Sequence, residues 1–123
     1  MVIPAKSDPV FRALRRILQK HAGRLTVVDE SPAKFSLVGG KHPQHGTPMS
    51  VAWVAVGKNY VSFHHMGVYA RPELLKGVSK QLRARMQGKS CFNFTAVDEA
   101  LFAELEELTL RGFEVFRKAG FMP

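Results

Sequence analysis

The chain has 123 residues, of which 46% are hydrophobic, and a formal charge of +8. This length and composition predict a single domain, residues 1–123, with its own core. No window approaches the ~20 apolar residues that cross a bilayer, the N-terminus lacks the apolar segment of a signal peptide, and one cysteine cannot form an internal disulfide. We therefore expect a cytoplasmic protein, monomeric or homodimeric, without a membrane partner.

The first half of the chain predicts one helix followed by four strands. Ser7 or Asp8 before Pro9 is typical of a helix start. Apolar residues recur at helical spacing over 9–22, and Gly23 is placed to end that helix in a left-handed conformation. Strands joined by polar turns, including a loop at 39–46 and a tight turn at 57–59, are predicted over 25–30, 34–38, 49–56 and 60–66.

A middle helix is predicted over 71–88, where apolar residues again recur at helical spacing. Gly77 and Ser79 interrupt it, and Gly88 is placed to end it. The stretch 85–94, RMQGKSCFNF, contains Gly-Lys-Ser, which ends a phosphate-binding loop motif, but that motif requires a glycine where this chain has Arg83. The motif also needs a helix after the loop, whereas a strand is predicted here, so a nucleotide-binding loop is disfavoured.

The last two elements complete the predicted fold. Residues 90–94 alternate as in a strand, and a capping box of Thr95 and Asp98 begins a helix over about 96–119. The tight hairpin turn indicates antiparallel pairing, and the helices must bury their apolar stripes. We therefore expect an α+β two-layer domain: an antiparallel sheet of about five strands, with N-terminal, middle and C-terminal helices packed mainly on one face.

Alternation along the strands also predicts a candidate ligand site. If the helices cover the face that carries Phe63, Phe92 and Phe94, the opposite face carries polar side chains from the same two strands. Trp53 lies in mid-strand, where it either lines a groove on that face or fills the core. A polar group with an aromatic rim is typical of a small-ligand surface. The candidate ligand-binding residues are Trp53, Ser62, His64, Cys91 and Asn93.

Chemistry at the single cysteine and at the histidines is less favoured. Cys91 would need a base such as His64 or His65 to act as a nucleophile, and a free cysteine in an apolar strand is usually a small buried side chain. His64 and His65 are adjacent on a strand and so point to opposite faces, and His42 and His45 lie in a polar loop without neighbouring cysteines or carboxylates. We expect no catalytic residue, no metal and no other cofactor.

Basic residues outnumber acidic ones everywhere except in the last segment. The net charge is +6 over residues 1–70, +5 over 71–97 and −3 over 98–123. Such an excess suits an anionic partner, most often nucleic acid, although a solvated basic surface is the favoured explanation of the charge. The candidate anion-binding residues are Arg12, Arg15, Arg16, Lys20, Arg83, Arg85 and Lys89.

Several segments resemble the YdhG-like family of bacterial domains of unknown function. They are KNYVSFH at 58–64, RPELL at 71–75, MQGKSCFNF at 86–94, and the pattern of the last helix, with Asp98, Leu101, Phe102, Leu105, Leu108 and residues 112–114. The resemblance implies an α+β domain with an antiparallel sheet and no established catalytic residues. Some members are described as frataxin-like iron chaperones, whose first helix is acidic, whereas this first helix carries four basic residues.

Three functions remain open from the sequence. The first is a small, non-enzymatic binding or accessory domain with a ligand on or beside the sheet. The second is a nucleic-acid-associated basic protein, and the third is an iron carrier that depends on carboxylates such as Glu106 and Glu107. An enzyme built on Cys91 and His64 is the least favoured.

Overall fold

The computed structural model describes residues 7–41 and 48–120. Within these residues, four α-helices and six strands alternate with two short 3₁₀ turns, Ala22–Arg24 and Pro72–Leu75. The elements are α1 (Ser7–Gln19), β1 (Thr26–Glu30), β2 (Lys34–Lys41), β3 (Pro48–Val56), β4 (Val61–His65), α2 (Met66–Ala70), α3 (Lys80–Arg83), β5 (Met86–Gln87), β6 (Cys91–Phe94) and α4 (Glu99–Ala119).

The strands form one antiparallel sheet in the order β1-β2-β3-β4-β6-β5. The predicted α+β class is therefore confirmed, with six strands where about five were expected. The β3–β4 hairpin turn spans four residues rather than three, since Gly57 N donates to Tyr60 O at 2.8 Å and Val56 already pairs with Val61. The predicted polar loop at 39–46 falls mainly outside the described residues, together with His42 and His45.

Helix α1 begins earlier and ends earlier than its apolar spacing predicted. Ser7 and Asp8 lie within its first turn rather than before it, and Asp8 binds Arg12 one turn later, at 3.0 Å. The chain leaves the α-helix after Gln19 and forms a 3₁₀ turn at Ala22–Arg24. Gly23 belongs to that turn and has no positive φ, so the predicted left-handed cap is wrong.

The predicted helix over 71–88 is mostly wrong, since the chain forms a 3₁₀ turn at Pro72–Leu75, one α-helical turn at Lys80–Arg83 and a strand at Met86–Gln87. Gly77 has φ +83°, in the left-handed region, which ends any helix before it. Ser79 then starts the short helix α3 by accepting from Leu82 N at 3.1 Å, so the predicted interruption at these two residues is confirmed. Gly88 (φ +80°) forms the turn between β5 and β6 instead of a helix C-cap.

Helix α4 starts three residues later than predicted because Asp98 itself is the N-cap. Its carboxylate accepts from Leu101 N at 3.0 Å, an arrangement that leaves Thr95 without the capping role expected of it. Val97 precedes the helix and is exposed, so it does not belong to the buried stripe. The helix ends at Ala119, where Gly120 adopts φ 87°.

The core lies between the helices and one face of the sheet. Phe63, Phe92 and Phe94 point into it and are at most 2% exposed, and they pack with apolar residues of α1 and α4. Each such aromatic stabilises the fold by about 1.5–3 kcal/mol relative to an exposed position. The predicted packing of the helices on one face is thereby confirmed. No helix within residues 7–41 and 48–120 is both long and apolar enough to cross a membrane.

Candidate ligand-binding site

The face of the sheet opposite the helices, here called the open face, carries the five candidate ligand-binding residues side by side. In the β3–β4–β6 ladder, Trp53 pairs with His64 and His64 pairs with Cys91, while Ser62 pairs with Asn93 in the next row. All five side chains are half-buried, whereas their neighbours along each strand are core residues. We call these five residues the open-face cluster. The predicted alternation is confirmed, and Trp53 lies on this face and not in the core.

Aromatic stacking fixes one end of the cluster. The rings of Trp53 and His64 lie parallel, with centroids 4.6 Å apart and an angle of 14° between their planes. Cross-strand aromatic pairs of this kind stabilise by about 0.5–1.5 kcal/mol beyond their buried area. Each ring therefore has one face covered by the other ring.

Hydrogen bonds connect the other end of the cluster. Asn93 Oδ1 accepts from Ser62 Oγ at 3.0 Å and from Cys91 Sγ at 3.2 Å. Asn93 Nδ2 donates to Gln87 Oε1 at 2.8 Å, and Cys91 Sγ lies 3.6 Å from His64 Nε2. The result is a connected polar network across β4, β6 and β5 whose remaining amide N–H groups can bind a ligand.

The imidazole and thiol of the cluster are both neutral near pH 7. Burial, helped by the charge of Lys34, lowers the pKa of His64 below 6.5. Burial raises the pKa of the Cys91 thiol above 9.0, against a smaller opposite effect of a hydrogen bond with Ser62. A nucleophilic cysteine requires the reverse, a depressed thiol pKa beside a cationic partner. The 3.6 Å contact is therefore a hydrogen bond between neutral groups, which argues against a cysteine–histidine catalytic pair.

Three neighbours of the cluster were missed by sequence reasoning. Ser36 pairs with Trp53 and is buried beside it, and Lys34, two residues earlier on the same strand, forms an ion pair with Asp29 at 3.7 Å. Gln87 pairs with Cys91, but its strand had been assigned to a helix. The pairing of neighbouring antiparallel strands brings these residues beside the cluster. The sequence alone does not show which residues of two strands pair.

The candidate anion-binding residues fall into two groups with different surroundings. On α1, Arg12 binds Asp8 at 3.0 Å and the Arg15 guanidinium lies over the Phe11 ring at 5.3 Å. Lys20, just after α1, binds Glu106 of α4. The two ion pairs offset the charges of Arg12 and Lys20, but not those of Arg15 and Arg16. The second group, Arg83, Arg85 and Lys89, is exposed around α3, β5 and the β5–β6 turn, and no ion pair involves it among the described residues.

His65 has a structural role that the sequence did not reveal. It is 1% exposed and caps α2 by accepting from Gly67 N at 3.0 Å, while its Nε2 lies 2.9 Å from Thr109 O of α4. Nδ1 therefore accepts and Nε2 donates, so the ring is neutral and carries its proton on Nε2. In the part of the chain that the structure describes, no group of three or more His, Cys, Asp or Glu side chains is arranged to hold a metal.

Comparison with protein-family models, with curated proteins and with solved structures gave no match.

Proposed function

We propose that the protein is a small binding module that holds an uncharged polar ligand on the open face, over the open-face cluster. The observation that carries the proposal is the placement of five half-buried polar or aromatic side chains in adjacent rows on a face that none of the described helices covers. Polar side chains held in fixed relative positions beside an aromatic group are typical of ligand sites.

The charge state of the cluster supports an uncharged ligand. His64 and Cys91 are neutral near pH 7 because of burial, and Ser62 and Asn93 carry no charge. The nearby ammonium of Lys34 is shared with Asp29 at 3.7 Å. A ligand with hydrogen-bonding groups around a ring, such as a nucleoside or a sugar, matches amide, hydroxyl and imidazole partners better than a phosphate does.

The test uses the single tryptophan of the chain, because its indole N–H gives one NMR signal that reports on the open face alone. Adenosine, uridine, glucose and N-acetylglucosamine are each titrated into ¹⁵N-labelled protein at pH 7.5. We expect a saturable shift of the Trp53 signal with at least one of them, weakened about tenfold or more in His64→Ala. Arg16→Ala, on the other side of the molecule, is the matched control and should bind as wild type. Absence of any saturable shift would refute this proposal.

A second candidate function, nucleic-acid binding, is favoured by the exposed group Arg83, Arg85 and Lys89, whose charges are not offset by ion pairs among the described residues. Three phosphate contacts to a single strand predict about a twentyfold loss of affinity between 50 and 200 mM salt. Fluorescence anisotropy with a labelled 20-nucleotide single strand measures this loss. Replacing all three residues by glutamine should abolish binding, whereas replacing Arg12, Arg16 and Lys20 should not. An iron carrier has no comparable support, since Glu106 is bound to Lys20.

A further inference from the structure

The hydrogen bonds along the open-face cluster all run in one direction. Asn93 Oδ1 can only accept, so the thiol proton of Cys91 lies in the 3.2 Å contact between Sγ and Oδ1. The thiol has no second proton, so His64 Nε2 must supply the proton for its 3.6 Å contact with Sγ. At the other end, Asn93 Nδ2 donates to Gln87 Oε1 at 2.8 Å. The donors therefore follow one another from His64 on β4 to Gln87 on β5.

This direction leaves an acceptor at the first end of the chain of bonds. With its proton on Nε2, the neutral His64 ring carries a lone pair on Nδ1. Among the half-buried and buried residues that the structure describes, Arg15 Nε is the one inaccessible side-chain nitrogen or oxygen without a hydrogen bond. His64 is half-buried, and its Nδ1 has no partner in that part of the chain, so Nδ1 is reached by solvent. A ligand N–H or O–H can therefore donate to it.

The opposite end of the chain of bonds presents donors. Gln87 is exposed, and the bond that its Oε1 accepts from Asn93 fixes the orientation of its amide. Its Nε2 carries two protons and makes no hydrogen bond within residues 7–41 and 48–120. Strand β6 lies between β4 and β5. Since neighbouring strands are ~4.8 Å apart, the acceptor of His64 and the donors of Gln87 belong to strands about 10 Å apart.

We propose that the open face selects a ligand with a carbonyl group at one end and a hydroxyl group at the other, such as a nucleoside whose base carries a carbonyl. The carbonyl accepts from the Gln87 amide, and a ribose hydroxyl donates to His64 Nδ1. This inference rests on the function proposed above and names the class of ligand. An amino group in place of the carbonyl would set a donor against the Gln87 donors and leave them unpaired. We therefore expect inosine to bind about tenfold more tightly than adenosine.

The experiment compares inosine with adenosine through the Trp53 indole N–H signal at pH 7.5, because the two nucleosides share the ribose and the purine ring system. Gln87→Glu keeps an acceptor for Asn93 Nδ2 but removes both donors, so it should abolish the preference for inosine. Gln19→Glu, the same change at an exposed position of α1, is the matched control and should keep the preference. Inosine binding no tighter than adenosine binding would overturn the inference, while the open face would remain a ligand site.

A second measurement reads the direction of the bonds in the protein without ligand. ¹⁵N spectra of the histidine rings, assigned with His64→Gln, show which nitrogen carries the proton, and we expect Nε2 of His64. A proton on Nδ1 would mean that Cys91 donates to His64. The chain of bonds would then be reversed and would turn Gln87 Oε1 towards the ligand, which overturns the inference but not the function proposed for the open face. If neither nucleoside binds, the inference is also overturned, and the sugar titrations decide separately whether the open face is a ligand site.

Discussion

Replacing Gly112 by alanine tests the buried contact between α4 and the end of β4. A Cβ at this position would lie 2.4 Å from Cε1 and 2.6 Å from Nε2 of His65, closer than real Cβ contacts come. The ring cannot move aside easily, because it is held by Gly67 N at 3.0 Å and by Thr109 O at 2.9 Å. The three nearest atoms to the new methyl group all belong to His65.

Two opposing effects decide the outcome. Alanine in a helix interior is favoured over glycine by about 1 kcal/mol. Against this, overpacking destabilises by about 1–3 kcal/mol, and a displaced ring leaves a buried amide or carbonyl unpaired at about 1–3 kcal/mol more. We therefore expect Gly112→Ala to lower the free energy of unfolding by about 3 kcal/mol.

Urea denaturation followed by circular dichroism measures this free energy. Gly23→Ala is the matched control, because no atom lies within 4 Å of its Cβ position and its φ is not positive, and we expect a change within about 0.5 kcal/mol. In a double-mutant cycle, His65→Ala should relieve the effect of Gly112→Ala, with a coupling of about 1 kcal/mol or more. A Gly112→Ala variant at least as stable as wild type would refute the reasoning, since helix propensity alone predicts a gain of about 1 kcal/mol.

Three further predictions concern titration and capping. Burial lowers the pKa of His65 to about 4, so between pH 6.5 and pH 4 the imidazole is protonated in the unfolded chain but not in the folded one. We expect urea denaturation to show a free energy of unfolding that falls from pH 6.5 towards pH 4, by about 2 kcal/mol at pH 5. This loss should be absent in His65→Gln. The fluorescence of Trp53 should change as the stacked His64 ring is protonated, with a midpoint below pH 6.5. A midpoint at or above pH 6.5, or one that survives in His64→Gln, would contradict the claim that burial lowers the pKa of His64. Glu104 accepts from the backbone N–H and the hydroxyl of Ser79, the N-cap of α3, at 2.7 and 2.6 Å. Glu104→Ala should therefore lower the free energy of unfolding by about 2 kcal/mol. A loss no larger than that of the exposed Glu107→Ala would show that this contact does not stabilise α3.

The sheet was predictable because alternation is a local property of the sequence. Alternation put Phe92 and Phe94 on one face of their strand, and Phe63 on the face opposite His64, whatever the exact strand ends were. That all three share a face of the sheet follows from the pairing of Phe63 with Phe92. The middle of the chain was not predictable in the same way. Helical spacing continues through Gly77, but a left-handed glycine breaks the helix, and the two residues of β5 are too few to show a pattern of their own.

The candidate site was predicted in composition but not in its connections. Strand alternation grouped Ser62 with His64 and Cys91 with Asn93, and the pairing of β4 with β6 places the two groups on one face. The contribution of Gln87 depends on its register with Cys91, which the sequence does not specify. The pairing of Lys20 with Glu106 also required the packing of α1 against α4, so the net charge alone overstated the positive surface at that end of the helix.

The central claim is that the open face is a surface available to a ligand while the opposite face is core, and the adjacent residues His64 and His65 lie on these two faces. The free energy of unfolding of His64→Ala and of His65→Ala, measured by urea denaturation at pH 7.5, compares them directly. We predict a loss of about 1 kcal/mol for His64→Ala, the value of its stacking on Trp53, and of about 3 kcal/mol or more for His65→Ala, which leaves two buried backbone groups unpaired. Equal and large losses would mean that His64 belongs to the core, and would contradict the account of a ligand-binding face.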